Sequence, residues 1–492
     1  MKDLVLAIDQ GTTGTRTIIF DEDLEVVGKS YSEFPQIFPK PGWVEHNPED
    51  IWKSVEKTVK QALSTGHVDP SRIAGIGITN QRETSVIWNK KTLKPVYNAI
   101  VWQCRRTADI CKKLKNKGKE PWIQKKTGLL LYPYFSGTKV QWLLENVKGL
   151  RKTAEAGDVA FGTIDCFLIN RLTGGEVHAT DVSNASRTLL MNISTLNWDD
   201  EVLALLGIPK AILPEIKDSS GLYGYTKGLA FLPDGIPISG VAGDQQAALF
   251  GQACFIEGEA KCTYGTGSFI LINTGAKLIF SRYKLLTTAA WRINGKTTYA
   301  LEGSVFISGA AVQWLRDGLE IIKTSADIEG LAESVEDSGG VVFVPALVGI
   351  GAPHWKADAR GIIVGITRGT TKAHIARATL EAIALQSYEV LEAMAEDMGT
   401  PIAILKVDGG AAQDNLLMQM QADFSRSEIV RPNVVETTAI GAAMLAGLAS
   451  GMWSGLDDLK KRWKIERSFR PLMPEGEAKT TIARWKDAVA KL

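Results

Sequence analysis

The sequence predicts an α/β protein made of two large halves built on similar lines. Three features of the chain point there. Its 492 residues exceed what one compact domain usually holds. Short apolar, β-type runs alternate with stretches whose apolar residues recur at helical spacing. One pattern of strand, small polar turn and strand occurs near the start and returns near the middle.

The elements follow in order. Leu4 to Ile8 is an apolar run ending in Asp9; Gly11-Thr12-Thr13-Gly14 follows, then a β-type run from Thr17 to Phe20, which predicts a hairpin. The turn Asp21-Glu22-Asp23 leads into a further β-type stretch, Leu24 to Val27. Asn47 is a helix cap, with Pro48 at the first helical position and Glu49 and Asp50 in the first turn. Ile51, Trp52, Val55, Val59 and Ala62 then form the apolar stripe. Lys261 to Tyr264 leads into Gly265-Thr266-Gly267-Ser268 and a strand from Phe269 to Asn273, so a second hairpin opens the second half and suggests an internal duplication. A long helix is expected from about Lys372 to Met398, with Leu380, Ile383, Ala384, Leu391 and Met394 inward and Gly399 as its stop. The stretch Gly251–Gly258 marks the boundary, giving domains 1–250 and 251–492.

Composition narrows the class. Hydrophobic residues at 45%, charged residues at 23% and a net charge of +1 describe an ordinary globular protein without the basic excess of a nucleic-acid binder. The lysine-rich run Lys112 to Lys126 reads as a solvated helix face and loop, with an anion or partner site as the alternative. No apolar run reaches membrane-spanning length, and the first is too short for a signal peptide. Five scattered cysteines without a CxxC pair, and five scattered histidines, argue against a disulfide framework or a zinc site and for the reducing cytoplasm.

Several segments carry chemistry. In Asp9-Gln10-Gly11-Thr12-Thr13-Gly14-Thr15-Arg16 glycine permits close backbone approach, so consecutive N–H groups can face phosphate oxygens. The threonine hydroxyls add donors, Arg16 can grip phosphate in bidentate fashion, and Asp9 can hold Mg²⁺ through water. A plain Gly/Thr hairpin turn explains the same residues equally well. Gly265-Thr266-Gly267-Ser268 has the same two readings, and two such loops suit a triphosphate clamped from both sides. The small residues Gly409-Gly410-Ala411-Ala412 after Leu405 to Asp408 leave room for a flat ring, and Gly309 and Gln313 sit one turn apart at a helix start. Arg82-Glu83, Trp102 after Ala99 to Val101, and Gly243-Asp244-Gln245 after Ile236 to Val241 bring an arginine, acids and an amide to strand ends. Such groups suit a polyol, with an acid at a strand tip as general base, although each also reads as a structural polar residue.

Together these segments resemble the FGGY carbohydrate kinase family over nearly the whole chain. The resemblance rests on IDQGTTGTR (Ile8–Arg16), PKPGWVEHNPEDIW (Pro39–Trp52), GITNQRET (Gly77–Thr84), YNAIVWQCRRTA (Tyr97–Ala108), NASRT (Asn184–Thr188), AGDQQAALFGQ (Ala242–Gln252), TYGTGSF (Thr263–Phe269), YALEGSVF (Tyr299–Phe306), QWLRDG (Gln313–Gly318) and VDGGA (Val407–Ala411). It implies two actin/hexokinase-like (ribonuclease H-like) ATPase domains with the active site in the interdomain cleft. The glycerol-phosphorylating branch is the one resembled, which implies Mg-ATP plus glycerol going to glycerol 3-phosphate plus ADP, and a homodimer or homotetramer. The family's polyol contacts fall on Arg82, Glu83, Tyr134, Asp244 and Gln245, with Trp102 and Phe269 as the apolar wall. Its nucleotide contacts fall on Thr12, Thr13, Gly14, Arg16, Thr266, Gly309, Gln313, Gly410 and Asp414; Asp9 matches the residue near Mg²⁺ and Asp244 the catalytic base.

The chain departs from the family in places. Gly14 stands where serine is frequent, and Asp414 where asparagine is expected beside the adenine, with Asn415 as a neighbouring substitute. Gly351 to Lys356 replaces a usual tyrosine and aspartate. Lys227 to Gly235 lacks the pattern some members use to bind fructose 1,6-bisphosphate, and the histidine others phosphorylate is missing, so neither regulation is expected. Rival readings are a kinase for another polyol or a ketopentose, which would carry a different motif at Gln81-Arg82-Glu83, and an actin-like or chaperone-type ATPase, which would have no use for a polyol pocket.

Overall fold

In the computed structural model, which describes residues 2–356, 358–434 and 436–492, the opening hairpin forms as its sequence predicts. The strands of the first half are β1 (Leu4–Gln10), β2 (Gly14–Phe20), β3 (Val26–Glu33), β4 (Ile73–Asn80), β5 (Ser220–Tyr225) and β6 (Pro237–Gly243). Those of the second half are β7 (Ala260–Tyr264), β8 (Ser268–Gly275), β9 (Leu286–Ile293), β10 (Lys296–Val305), β11 (Ile404–Asp408), β12 (Glu428–Pro432) and β13 (Ile465–Phe469). The helices that position the site are α1 (Pro48–Thr65), α2 (Asp244–Gly251), α3 (Gly309–Asp317), α4 (Lys372–Met398), α5 (Asn415–Ser425) and α6 (Thr437–Ser450).

All thirteen strands join one sheet, in the order β13-β12-β11-β7-β8-β10-β9-β5-β6-β4-β1-β2-β3. The order exposes the duplication. In the first half β3-β2-β1 run antiparallel, then β4 and β6 lie parallel to β1. In the second half β10-β8-β7 run antiparallel, then β11 and β12 lie parallel to β7. The two sets meet through a single parallel pair, Ser220 with Ile293.

The helix signals hold. Asn47 Oδ1 accepts from Glu49 N at 3.1 Å and caps α1, and Ile51, Trp52, Val55, Val59 and Ala62 are all buried. Burying one such Val or Ile side chain stabilises the fold by about 1.5–3 kcal/mol. Helix α4 spans the residues expected and ends at Gly399 in the left-handed conformation. One strand is displaced from its prediction: β3 begins at Val26, not Leu24. Asp21 Oδ1 accepts from Asp23 N and Glu25 N, and Leu24, at φ 63°, closes that turn. Its side chain is buried, so an apolar turn residue imitated the start of a strand.

The helices following β6 and β12, α2 and α6, stack on each other. Gly441 permits this approach, because a Cβ there would lie 1.8 Å from Ala247 O. Helix α6 also lies on β1, β4 and β6, with a Cβ on Gly77 meeting Ala442 O at 2.2 Å. A helix from the last quarter of the chain thus packs on the first half's strands.

Candidate active site

Each glycine turn is closed by a backbone bond of its own: Gly11 N donates to Gly14 O, three residues on, and Gly265 N to Gly267 O, two residues on, both at 2.9 Å. In the first turn the Trp102 indole donates to Thr12 Oγ1 at 2.9 Å, so this glycine turn touches Trp102 directly. Arg16 is ion-paired with Glu436, the residue before α6, rather than standing free. Asp9 lies one residue before the end of β1; burial, with Asp244 and Glu436 adding to it against the opposing Arg16, pushes its carboxyl up to about 7. The second turn is held by the start of α3. Gly309 N donates to Gly265 O at 2.9 Å and Ala310 N to Thr266 O at 3.0 Å. A Cβ on Gly309 would lie 2.7 Å from Gly265 O, so this close seat excludes a side chain. Gln313 is exposed one turn on. Gly410 follows Gly409, whose φ of 89° sets its backbone against Tyr264. Asp414 caps α5, Oδ1 accepting from Leu417 N at 2.8 Å, while its buried Oδ2 has no partner. Asn415 is turned away, its Oδ1 accepting from Arg431 at 3.1 Å.

The polyol-type residues form a denser cluster. Arg82, 2% exposed, reaches Asp244 Oδ1 through Nε at 3.0 Å and grips Glu302 with both terminal nitrogens. Asp244 begins α2; its Oδ1 also accepts from Gln245 N at 2.7 Å. Burial raises the Asp244 carboxyl above its ordinary range, opposed by Arg82 and Lys261. Arg187, fully buried, donates to Glu83 Oε1 at 2.7 Å and to Glu302 Oε1 at 2.9 Å. Burial disfavours ionised Glu302, but Arg187 and Arg82 overcome it and hold its carboxyl below the usual range. Glu83 sits at φ 59°, an uncommon conformation for a side-chain-bearing residue. Its carbonyl accepts from Ser136 Oγ at 3.0 Å and from the buried Lys139 Nζ at 3.4 Å; Lys139 also donates to Tyr134 O. Tyr134 packs edge-on to Trp102, with ring centroids 5.5 Å apart. Gln245 accepts from the buried Lys261, which also donates to Phe269 O at 3.3 Å and so ties the two halves together. Beyond the cluster, His354 Nε2 lies 3.2 Å from Glu389 Oε2, and Trp355 donates to Lys284 O.

The comparisons agree with this architecture. The model of the FGGY family of carbohydrate kinases matches in two parts, its N-terminal domain over residues 4–251 and its C-terminal domain over residues 260–450. The chain belongs to the FGGY family of carbohydrate kinases. Within that family it is similar to the glycerol kinase of Myxococcus xanthus, 56% identical over 489 residues and 99% of both chains. It is also similar to glycerol kinase 2 of Thermotoga maritima, 57% identical over 487 residues, 99% of this chain and 98% of that protein. A solved structure of Plasmodium falciparum glycerol kinase with ADP superposes with a TM-score of 0.93 at 39% identity, covering 99% of this chain and 98% of that one.

In this FGGY kinase the residues expected from sequence gather in two groups. Asp9, Thr12, Arg16, Arg82, Glu83, Trp102, Tyr134, Asp244, Gln245 and Phe269 are linked by the contacts above. Thr266, Gly309 and Gly410 gather around the second hairpin, with Gln313 and Asp414 a turn farther out. Sequence reading missed Arg187, Glu302, Lys139, Lys261 and Gln246, whose Oε1 accepts from Arg82 at 3.1 Å, although all but Lys139 lie in or beside the motifs it singled out. Glu302 and Lys261 lie in the buried parts of β10 and β7, where a charge must find a partner, but nothing nearby in the sequence says which partner that is.

Asp9 gives a test of this arrangement by pH. Its folded-state value of about 7 lies above the ordinary 3.8, so its ionisation costs stability that is intact below pH 4 and lost as pH rises through 7. Asp9→Asn therefore raises the melting temperature of the ligand-free protein by roughly a few degrees at pH 8, and the gain shrinks as pH falls toward 4. A gain independent of pH would remove Asp9 as its source.

Proposed function

We propose that this FGGY kinase transfers the γ-phosphoryl group of ATP to glycerol, giving sn-glycerol 3-phosphate and ADP, in the cytoplasm and as a homodimer or homotetramer. The observation that carries the reading is the cluster of Arg82, Glu83, Asp244 and Gln245 closed by the rings of Trp102 and Tyr134. Charged and amide groups beside aromatic rings suit a three-carbon polyol, whose hydroxyls need partners and whose carbons need an apolar wall. The full-length similarity to glycerol kinases supports the same substrate. Five buried free thiols suit the cytoplasm. No helix among the described residues is long and apolar enough to cross a membrane.

Asp244 is the general base. Arg82 and the Gln245 N–H hold Oδ1 and leave Oδ2 to accept the proton of the terminal hydroxyl as its oxygen attacks phosphorus in line. Phosphoryl transfer passes through a loose transition state, so positioning outweighs base strength. Apart from the Gly11 and Gly265 N–H groups, which are bonded within their turns, the backbone N–H groups and threonine hydroxyls of both glycine turns serve as donors to the phosphate oxygens. Among the described residues no three His, Cys, Asp or Glu side chains converge as a metal cage. Asp9, an oxygen donor flanked by Asp244 and Glu436, fits a Mg²⁺ ion that keeps phosphate and water as its other ligands. When bound, the ion supplies positive charge that neutralises the phosphate oxygens. Closure of the cleft excludes water as a competing acceptor.

The test is ADP release from Mg-ATP with and without glycerol, set beside xylulose, ribulose and erythritol. Strong stimulation by glycerol alone is expected. Stimulation by another polyol overturns the pocket reading, and polyol-independent release overturns the kinase reading in favour of an actin-like ATPase.

A further inference from the structure

Gly14 stands where the resemblance leads one to expect a serine, and a ring from the neighbouring strand takes up the space such a side chain would need. Tyr31 on β3 pairs across the ladder with Arg16 on β2. Its ring leans over the first glycine turn: a Cβ on Gly14 would lie 2.6 Å from the Tyr31 hydroxyl oxygen and 2.7 Å from two of its ring carbons. The phenol therefore occupies the space a side chain at position 14 would fill, and glycine is what admits it. The same hydroxyl lies 3.4 Å from Thr13 Oγ1, and the Arg16 guanidinium lies 5.6 Å from the ring centroid. Core packing does not account for the ring, since Tyr31 is 47% exposed. An aromatic hydroxyl thus stands beside Thr13 and Arg16, both expected at the phosphates.

We propose that Tyr31 is a further nucleotide-binding residue, its phenolic O–H donating to a phosphate oxygen of ATP in place of the hydroxyl that Gly14 does not carry. The proposal rests on the kinase reading above. The chemistry favours it: a hydrogen bond to an ionised acceptor is about twice as strong as a neutral one, and a rigid ring on a strand delivers its donor at little entropic cost. Gly14 and Tyr31 are then one unit, in which a small residue on one strand makes room for a donor from the next.

The experiment compares ATP and glycerol saturation for Tyr31→Phe, Tyr31→Ala, Gly14→Ser and the double variant Tyr31→Ala/Gly14→Ser. Tyr31→Phe keeps the ring and removes only the hydroxyl, so it is expected to raise the KM for ATP about tenfold with the KM for glycerol unchanged. Gly14→Ser alone collides with the ring and weakens ATP use. In the Tyr31→Ala background the same serine has room and restores most of the ATP affinity that Tyr31→Ala loses, which a merely structural role for the ring would not produce. A wild-type KM for ATP in Tyr31→Phe, or a double variant no better than Tyr31→Ala, overturns the proposal. If the unaltered protein releases ADP without regard to glycerol, the kinase reading fails instead, before any variant is compared.

Discussion

Asp244→Asn lowers turnover at saturating glycerol and ATP by roughly a hundredfold or more, the usual range for a positioned proton acceptor. The substitution is a fair test because it spares the geometry. An asparagine carbonyl can still accept from Gln245 N and from Arg82 Nε, the two bonds that Asp244 Oδ1 now takes. What it loses is the second oxygen, replaced by an amide that donates and cannot receive the hydroxyl proton. The pH profile supplies an independent readout. Burial, opposed by Arg82 and Lys261, holds the Asp244 carboxyl above the ordinary carboxylate range, so the acid limb of kcat/KM should lie there and vanish in the variant. Near-normal turnover by a folded Asp244→Asn protein would take the base role away from this residue.

Glu302→Ala has the largest expected effect on stability, about 3–5 kcal/mol. Glu302 is wholly buried and is the shared counter-charge of Arg82 and Arg187. Its removal leaves two guanidiniums in the interior with Glu83 and the half-buried Asp244 as their remaining carboxylate partners among the described residues. Glu302 comes from β10 in the second half, whereas both arginines belong to the first, so the pair also fixes where Arg82 points. The variant should unfold at lower denaturant and raise the KM for glycerol far more than that for ATP, whereas Glu302→Gln, which keeps one acceptor, should lie between. Wild-type stability with unchanged glycerol saturation in Glu302→Ala would show that the arginines do not depend on it.

Local signals were reliable wherever the chain decides its structure through its neighbours in sequence. The cap at Asn47, the stop at Gly399 and the two glycine hairpins formed where the residues called for them. Leu24 shows the limit: its apolar side chain signals a strand, yet it points inward from a turn made by the Asp21 carboxylate. At the site, Asp244 and Arg82 were legible because they stand beside glycines and strand ends in long motifs. Arg187 and Glu302 were not, because a buried charge has meaning only through its partner, and theirs are 104 to 220 residues away.

By itself the sequence determined the fold class, the doubled plan, the family resemblance and the residue types able to bind phosphate and polyol. These depend on periodicity, capping and turn chemistry, all of which act over a few residues. Only the tertiary structure decided that α6 packs on the first half's strands, that Glu302 crosses from one half to neutralise two arginines of the other, and that Tyr31 fills the space above Gly14. Each is a contact between segments far apart along the chain or on adjacent strands, set by close packing and by the need of buried charge for a partner. Neither requirement leaves a mark at a fixed spacing in the sequence.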